Sequence, residues 1–231
     1  MEICWFATFA APEPLAQGEL AALSGFLAGL RGVSRSLIHT PAVTSDPYLD
    51  DGPPPTLVLQ VYWPEIAAME AALARDGALG ALAGPAVIPS QAGAAVTQQA
   101  MLVRSFPVPD ARLRTPPGEP HCTYLVSYEG PAEDLNVWLD HYIRHHPPIM
   151  ARFPGIRQIE ITSRIDWCGF LPWPRVGYMQ RNKVVFDDQA ALTAALNAPV
   201  RHEMRADFKE FPPFSGGNTH FPMLTRAVPK G

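Results

Sequence analysis

The chain has 231 residues, of which 47% are hydrophobic and 17% charged. That balance folds rather than stays disordered, and it allows one large domain or two of about 100 residues each. A net charge of −4 and a pI near 6.0 supply no basic field for nucleic acid or an anionic membrane, and Lys and Arg are scattered rather than stacked.

Residues 3–11 form an apolar run too short to span a membrane, with no Lys or Arg before it as a signal peptide needs; a first β-strand explains it better. No later segment reaches about 18 consecutive apolar residues. Cys4, Cys122 and Cys168 are widely spaced, form no metal motif and cannot all pair with one another, which favours reduced thiols. The expectation is a soluble, cytoplasmic protein. Alternation and turn signals predict further strands near residues 33–40, 57–63 and 94–104, with helices near 19–30 and 64–75. Pro107, Pro109, Pro116, Pro117 and Pro120 then remove too many backbone donors for a central strand. Residues 105–119 therefore read as a linker between a unit at 1–104 and a unit at 120–231.

The second unit opens on a strand at 122–128, where Tyr124, Val126 and Tyr128 alternate with Thr123, Leu125 and Ser127. A helix is expected from about Ala132 into the 141–146 region, with Leu135, Trp138, Leu139 and Tyr142 at helical spacing. Pro154-Gly155 opens a strand at 156–163, and another covers roughly 177–186. Asp187-Asp188 suits the positive end of a second helix carrying Ala191, Leu192, Ala195 and Leu196. Ser215-Gly216-Gly217-Asn218 reads as a turn before a last strand at 219–227.

The two units share a plan. WPEIAAMEAAL at 63–73 matches FDDQAALTAAL at 186–196, and LRGV at 30–33 matches FPGI at 153–156, both 123 residues apart; MLVR at 101–104 matches MLTR at 223–226 one residue out of step. Each unit reads as β-α-β-β-α-β. Such a sheet carries helices on one face and leaves the other apolar, so two sheets can cover each other inside one chain. This removes the need for a homodimer without forbidding one.

His141-Tyr142, then His146, Pro148 and Pro154-Gly155, resembles the signature of the EthD family. Tyr124, Tyr128 and Gly130 upstream suit that family's first strand and turn, and Ala194-Ala195-Leu196, Pro199 and Arg205-Ala206-Asp207 suit its Ala-Leu…Pro…Ala-Asp segment. The likeness covers about residues 120–228. It departs at Ala198-Pro199-Val200, where the family has Ser-Pro-Glu, and at the extra His145. The first unit lacks the histidines and looks like a degenerate copy. The resemblance implies an α+β fold of two tandem ferredoxin-like halves closed into an intramolecular dimeric α+β barrel. It also implies small, often aromatic or oxygenated ligands held between sheet and helices.

His146 is the first choice for a catalytic group, since imidazole exchanges protons near neutrality. Pro147 is expected to break the helix there and aim the ring away from the helix face; the bland alternative is a capping histidine. His141 and His145 share a helix face, but no third ligand is visible, so no metal is expected. His141 or Asp207 would position His146, although Asp207 also reads as a surface or capping aspartate. Tyr124, Tyr128 and Tyr142 are candidate substrate-binding residues, with core tyrosines as the commoner outcome. Trp167, Phe170 and Trp173 form an aromatic loop that needs cover, as a pocket lid or a subunit contact. The matching loop of the first unit, residues 44–55, is polar and acidic, which suggests that the aromatic end serves the second unit. Cys168 beside it is expected to be inert. No phosphate-cradling glycine loop, G-x-S-x-G or H-E-x-x-H occurs. The expectation is a cofactor-free His acid/base enzyme (isomerase, lyase or oxygenase) acting on a small hydrophobic molecule. The alternatives are a non-catalytic binding protein for a pathway intermediate and a haem-binding protein.

Overall fold

The computed structural model describes residues 2–44 and 46–229. Its first half contains β1 (Ile3–Ala10), α1 (Glu19–Ala28), β2 (Arg35–Pro41), β3 (Leu57–Trp63), α2 (Ile66–Ala72) and β4 (Ala95–Phe106), with 3-10 turns at Ala78–Ala83 and Pro89–Gln91. The second contains β5 (His121–Tyr128), α3 (Leu135–Met150), β6 (Ile156–Arg164), β7 (Gln180–Phe186), α4 (Gln189–Leu196), α5 (Val200–Lys209) and β8 (Asn218–Ala227). β4 runs to Phe106, past the boundary expected at residue 104, because its end pairs with β6 of the other half.

All eight strands close into one antiparallel barrel in the order β1-β3-β2-β8-β5-β7-β6-β4. Within each half the second strand pairs the third, the third the first and the first the fourth. The halves meet where β4 joins β6 and β2 joins β8. Closure removes every sheet edge, so neither half keeps a free row of backbone donors and acceptors. The chain is an α+β protein with two ferredoxin-like halves in an intramolecular dimeric α+β barrel.

Period-2 alternation sends each strand's residues to two different places. Tyr124, Val126 and Tyr128 turn outward to a core under α3, α4 and α5, with Trp138, Tyr142 and Met150. Trp5, Ala7 and Phe9 face the equivalent core of the first half, with Leu23, Leu27 and Met69. Cys4, Phe6, Val58, Tyr62, Met101 and Met223 point into the barrel. Inside it, Glu160 accepts from Tyr62 Oη at 2.5 Å, Arg35 Nη2 at 2.7 Å and Gln60 Nε2 at 3.0 Å, and lies 3.3 Å from Lys183 Nζ. Burial favours a neutral carboxyl there, but Lys183 and Arg35 outweigh it and hold Glu160 below the usual carboxylate value.

Two expectations are corrected. First, α3 is not broken at His146: it runs to Met150 with Pro147 and Pro148 inside it. Both prolines lie in the last turn, so the two i→i−4 bonds they forgo, to the carbonyls of Ile143 and Arg144, are lost near the end of the ladder rather than at its centre. Trp138, Tyr142, His146 and Met150, each four residues from the last, make one buried face. That periodicity, not a break, turns His146 inward. Second, α5 was not foreseen. It follows Pro199 directly, has only the short 3-10 turn at Ala78–Ala83 as its counterpart in the first half, and packs against α3.

The linker is tied to the second half. Arg157 reaches Asp110 Oδ2 at 2.6 Å and Asp187 Oδ2 at 2.7 Å, and Asp187 also accepts from the Arg114 backbone N–H at 2.7 Å. Among the described residues no helix is long and apolar enough to cross a membrane.

Candidate active site

Between the β5–β7–β8 face and helices α3, α4 and α5 lies a chamber of about 40 Å³, room for a few water molecules. Val126, Phe153, Val184, Phe186, Leu192 and Leu196 make its apolar walls. It adjoins a wider mouth of about 270 Å³ edged by Leu49, Arg205, Phe208, Lys209 and Asn218. Tyr128, His146, Arg201, Met204 and His220 line both spaces and so form the neck between them.

At the neck, α3 and α5 bring His146 Nδ1 to 2.6 Å from Asp207 Oδ2. A carboxylate only accepts, so Nδ1–H donates and Nε2 keeps a free lone pair. Burial lowers the His146 pKa below the ordinary histidine value, and the Asp207 hydrogen bond and charge only partly restore it. Burial also works to raise the Asp207 carboxyl, but the bond to His146 outweighs it and holds that group below its usual value. Near neutrality the pair is a neutral imidazole oriented by a carboxylate. Phe211 meets the His146 ring edge to face at 5.0 Å, and Tyr142 lies behind it at 4.7 Å.

Arg201 is buried beside His146. Its Nη2 donates to Asp46 Oδ2 at 2.8 Å, which also accepts from Tyr124 Oη at 2.7 Å. Arg201 Nε has no partner among the described residues. Asp51 Oδ2 takes the His220 backbone N–H at 2.8 Å and lies 3.1 Å from its Nδ1. Burial and the Asp46 carboxylate push the Tyr124 phenol well up, so it remains a hydrogen-bond donor.

Of the residues singled out from the sequence, the structure brings together His146, Asp207, Tyr124 and Tyr128. His141 Nε2 is 3.7 Å from Asp207 Oδ1, beyond hydrogen-bond range, and its ring stacks on exposed His145 at 4.6 Å. Tyr142 is fully buried, accepts from Asn182 Nδ2, and does not line the chamber. Among the described residues no three His, Cys, Asp or Glu side chains converge so as to hold a metal ion.

Trp167, Phe170 and Trp173 lie elsewhere, and the lid assigned to them is corrected. Their loop crosses to the first half. Trp173 stacks on Trp5 at 6.3 Å and meets Phe9 edge-on at 5.3 Å, and its carbonyl accepts from Gln98 Nε2 at 2.8 Å. Trp167 packs on the same core, and the Phe170 backbone N–H donates to the Leu73 carbonyl at 2.8 Å. Reciprocally, residues 46–55 of the acidic loop cross to the second half and deliver Asp46, Leu49 and Asp51 to the site. Barrel closure causes both crossings. Because β2 pairs β8 and β6 pairs β4, each half's loop after its second strand leaves beside the other half. Arg201, His220, Asp46 and Phe211 went unrecognised because no motif marks them; only the closed topology does.

No family model matches the chain, and no curated protein matches it. Solved structures do. An anthrone oxidase-like protein is 15% identical over 99% of this chain and 94% of its own, with a TM-score of 0.66. A protein proposed to be a monooxygenase from Fusobacterium nucleatum is 11% identical over 100% and 95%, TM-score 0.64, and another from Lactobacillus acidophilus is 10% identical over 100% and 97%, TM-score 0.56. At these identities the likeness establishes the architecture: along its whole length the chain has the fold of the tandem dimeric α+β barrels.

Proposed function

We propose that the protein is a small-molecule catabolic enzyme in which His146 removes a proton from an enolisable or phenolic substrate. The observation that carries this reading is the buried His146–Asp207 pair at the neck of a cavity with apolar walls. Asp207 fixes the tautomer, and Nε2 takes the proton. Arg201 stands across the neck with an unpartnered Nε able to meet the negative charge that develops on the substrate oxygen. Asp46 and Tyr124 hold that guanidinium in place; the chamber has room for only a small part of a substrate, and the wider mouth beside it, edged by Leu49, Met204 and Phe208, takes the hydrocarbon body. Proton removal of this kind begins isomerisation, dehydration and the oxygenation of electron-rich phenols alike. The EthD-like residues of the second half and the anthrone oxidase-like and proposed monooxygenase neighbours support this substrate class.

Anthrone, an enolisable ketone, is a direct probe. Solvent deuterium exchange at its acidic carbon is expected with wild type and lost in His146→Gln. Exchange that is equal in the two proteins defeats the acid–base reading. Binding that saturates without exchange favours a holding protein, and a visible haem band in protein expressed with haem redirects the reading to a haem site.

A further inference from the structure

The barrel lumen holds a second cavity, separated from the His146 neck by the sheet itself. Inward-facing Phe6, Thr8, Val58, Leu125, Ser127, Arg181 and Phe221 surround about 330 Å³ of space, open at the end rimmed by Pro53–Pro55 and Thr219. Its walls are mostly apolar, and Thr8, Ser127 and Thr219 add hydroxyls. Arg181 is 6% exposed. Its guanidinium carbon lies 4.7 Å from the Phe6 ring centroid and 4.8 Å from that of Tyr178, and its Nε has no hydrogen-bond partner among the described residues.

The charges inside the barrel are unevenly matched. At the far end two carboxylates meet two cations: Arg35 pairs with Glu2 and Glu160, and Lys183 with Glu160. Two residues along β7 from Lys183, Arg181 has no carboxylate within ion-pair distance among the described residues. Arginine stays protonated at physiological pH, so the lumen carries one buried cation without a counter-charge. Stacking on arenes offsets part of that cost but leaves Nε unmet among the described residues. An anion entering the lumen supplies what is missing, and apolar walls of this volume suit a hydrocarbon body behind it.

We propose that the lumen is a second ligand site, distinct from the His146 cavity, that binds a small carboxylate with an apolar body through the Arg181 guanidinium. The carboxylate accepts from Arg181, Ser127 and Thr8 border the polar end, and Phe6, Leu125 and Phe221 enclose the rest. The assignment does not rest on the reaction at His146.

Octanoate and 4-iodobenzoate are titrated into the full chain by calorimetry, and iodine is located by anomalous scattering in crystals soaked with 4-iodobenzoate. One molecule per chain is expected, with iodine inside the barrel; the tighter of the two probes shows whether the body is aliphatic or aromatic. Arg181→Met should weaken both by about tenfold or more, the scale of a lost charge-assisted hydrogen bond, while 1-octanol binds as before. Leu125→Trp fills the lumen and should abolish binding with Arg181 retained. His146→Gln should bind both probes as wild type does. Unchanged affinity in Arg181→Met, iodine found only beside His146, or no binding of either probe by wild type overturns the proposal. Thermal unfolding checks that the variants fold, and Arg181→Met should unfold no earlier than wild type, since it removes an unanswered charge.

Discussion

Asp46→Ala tests whether the crossing acidic loop is part of the site. The Asp46 and Arg201 side chains are 5% and 10% exposed and lie 2.8 Å apart. Removing one partner of a buried ion pair strands the other's charge, which costs about 3–5 kcal/mol. The neighbouring mouth lets water reach Arg201, so the low end, about 3 kcal/mol, is expected. For a chain of this length that lowers Tm by roughly 6–12 °C. Arg201→Met alone leaves Asp46 with the Tyr124 hydroxyl and should cost less. The double variant strands no charge and should recover about 2 kcal/mol relative to the sum of the single costs. Guanidinium unfolding of all four proteins closes the cycle. Single costs that simply add, or an Asp46→Ala within about 0.5 kcal/mol of wild type, would mean that the loop lies on the surface without holding Arg201.

Three further outcomes are expected. His146→Gln and Asp207→Asn should each lower kcat/KM, the first by about 10²–10⁴; wild-type activity should rise with pH along a limb centred below 6.5, because burial favours the neutral base, and a limb above 7 would point to another group. Trp173→Ala should cost about 2–3 kcal/mol by opening the first-half core while leaving activity per folded molecule intact; lost activity with unchanged stability would restore the lid. His39 and His146 are depressed by burial and His121 is lowered to about 4, again mainly by burial, so the unfolded chain binds more protons than the folded one below pH 6.5. Stability should therefore climb from about pH 4 to 6.5 and then level, His121 alone accounting for up to about 3 kcal/mol; a Tm that is flat over that range contradicts the burial of these rings.

Local pattern carried most of the architecture. Alternation at 122–128 separated two sets of residues without saying what each faces; the half-buried strand it implied is buried on both sides at Thr123 and Tyr124, because the barrel lumen covers the second face. The 123-residue spacing holds for the third strands, which open at Leu57 and Gln180. Helix α5 escaped because its apolar positions are sparse: Val200 and Met204 are buried, but so is Arg201, which breaks the pattern. His146 and Asp207 were legible through their residue types and the family likeness. Their pairing was offered with His141 as the other partner, and the sequence left that choice open across 61 residues; the contact of α3 with α5 makes the partner Asp207. Pro147 misled because its effect on the preceding residue is a local tendency, and the buried face of α3 supplies enough packing to override it.

The aromatic loop was misplaced for a different reason: loop composition says what a loop must bury, not which half it buries it in. Both halves offer the same space between sheet and helices. In the first, Leu171 and Trp173 enter it from the opposite half and join Leu23, which stands 123 residues before His146. In the second, the entering loop brings carboxylates. A carboxylate cannot fill an apolar slot, and its charge must be answered, so Arg201, Tyr124 and His220 turn toward it and a chamber is left open. One half is thus a plugged core and the other keeps an open chamber, and the difference lies in two exchanged loops rather than in the sheets. Residues 120–231 expressed alone would lose Asp46 and Asp51 and expose the free edges of β6 and β8. The proline-rich linker separates two folding patterns, but it does not bound a functional unit.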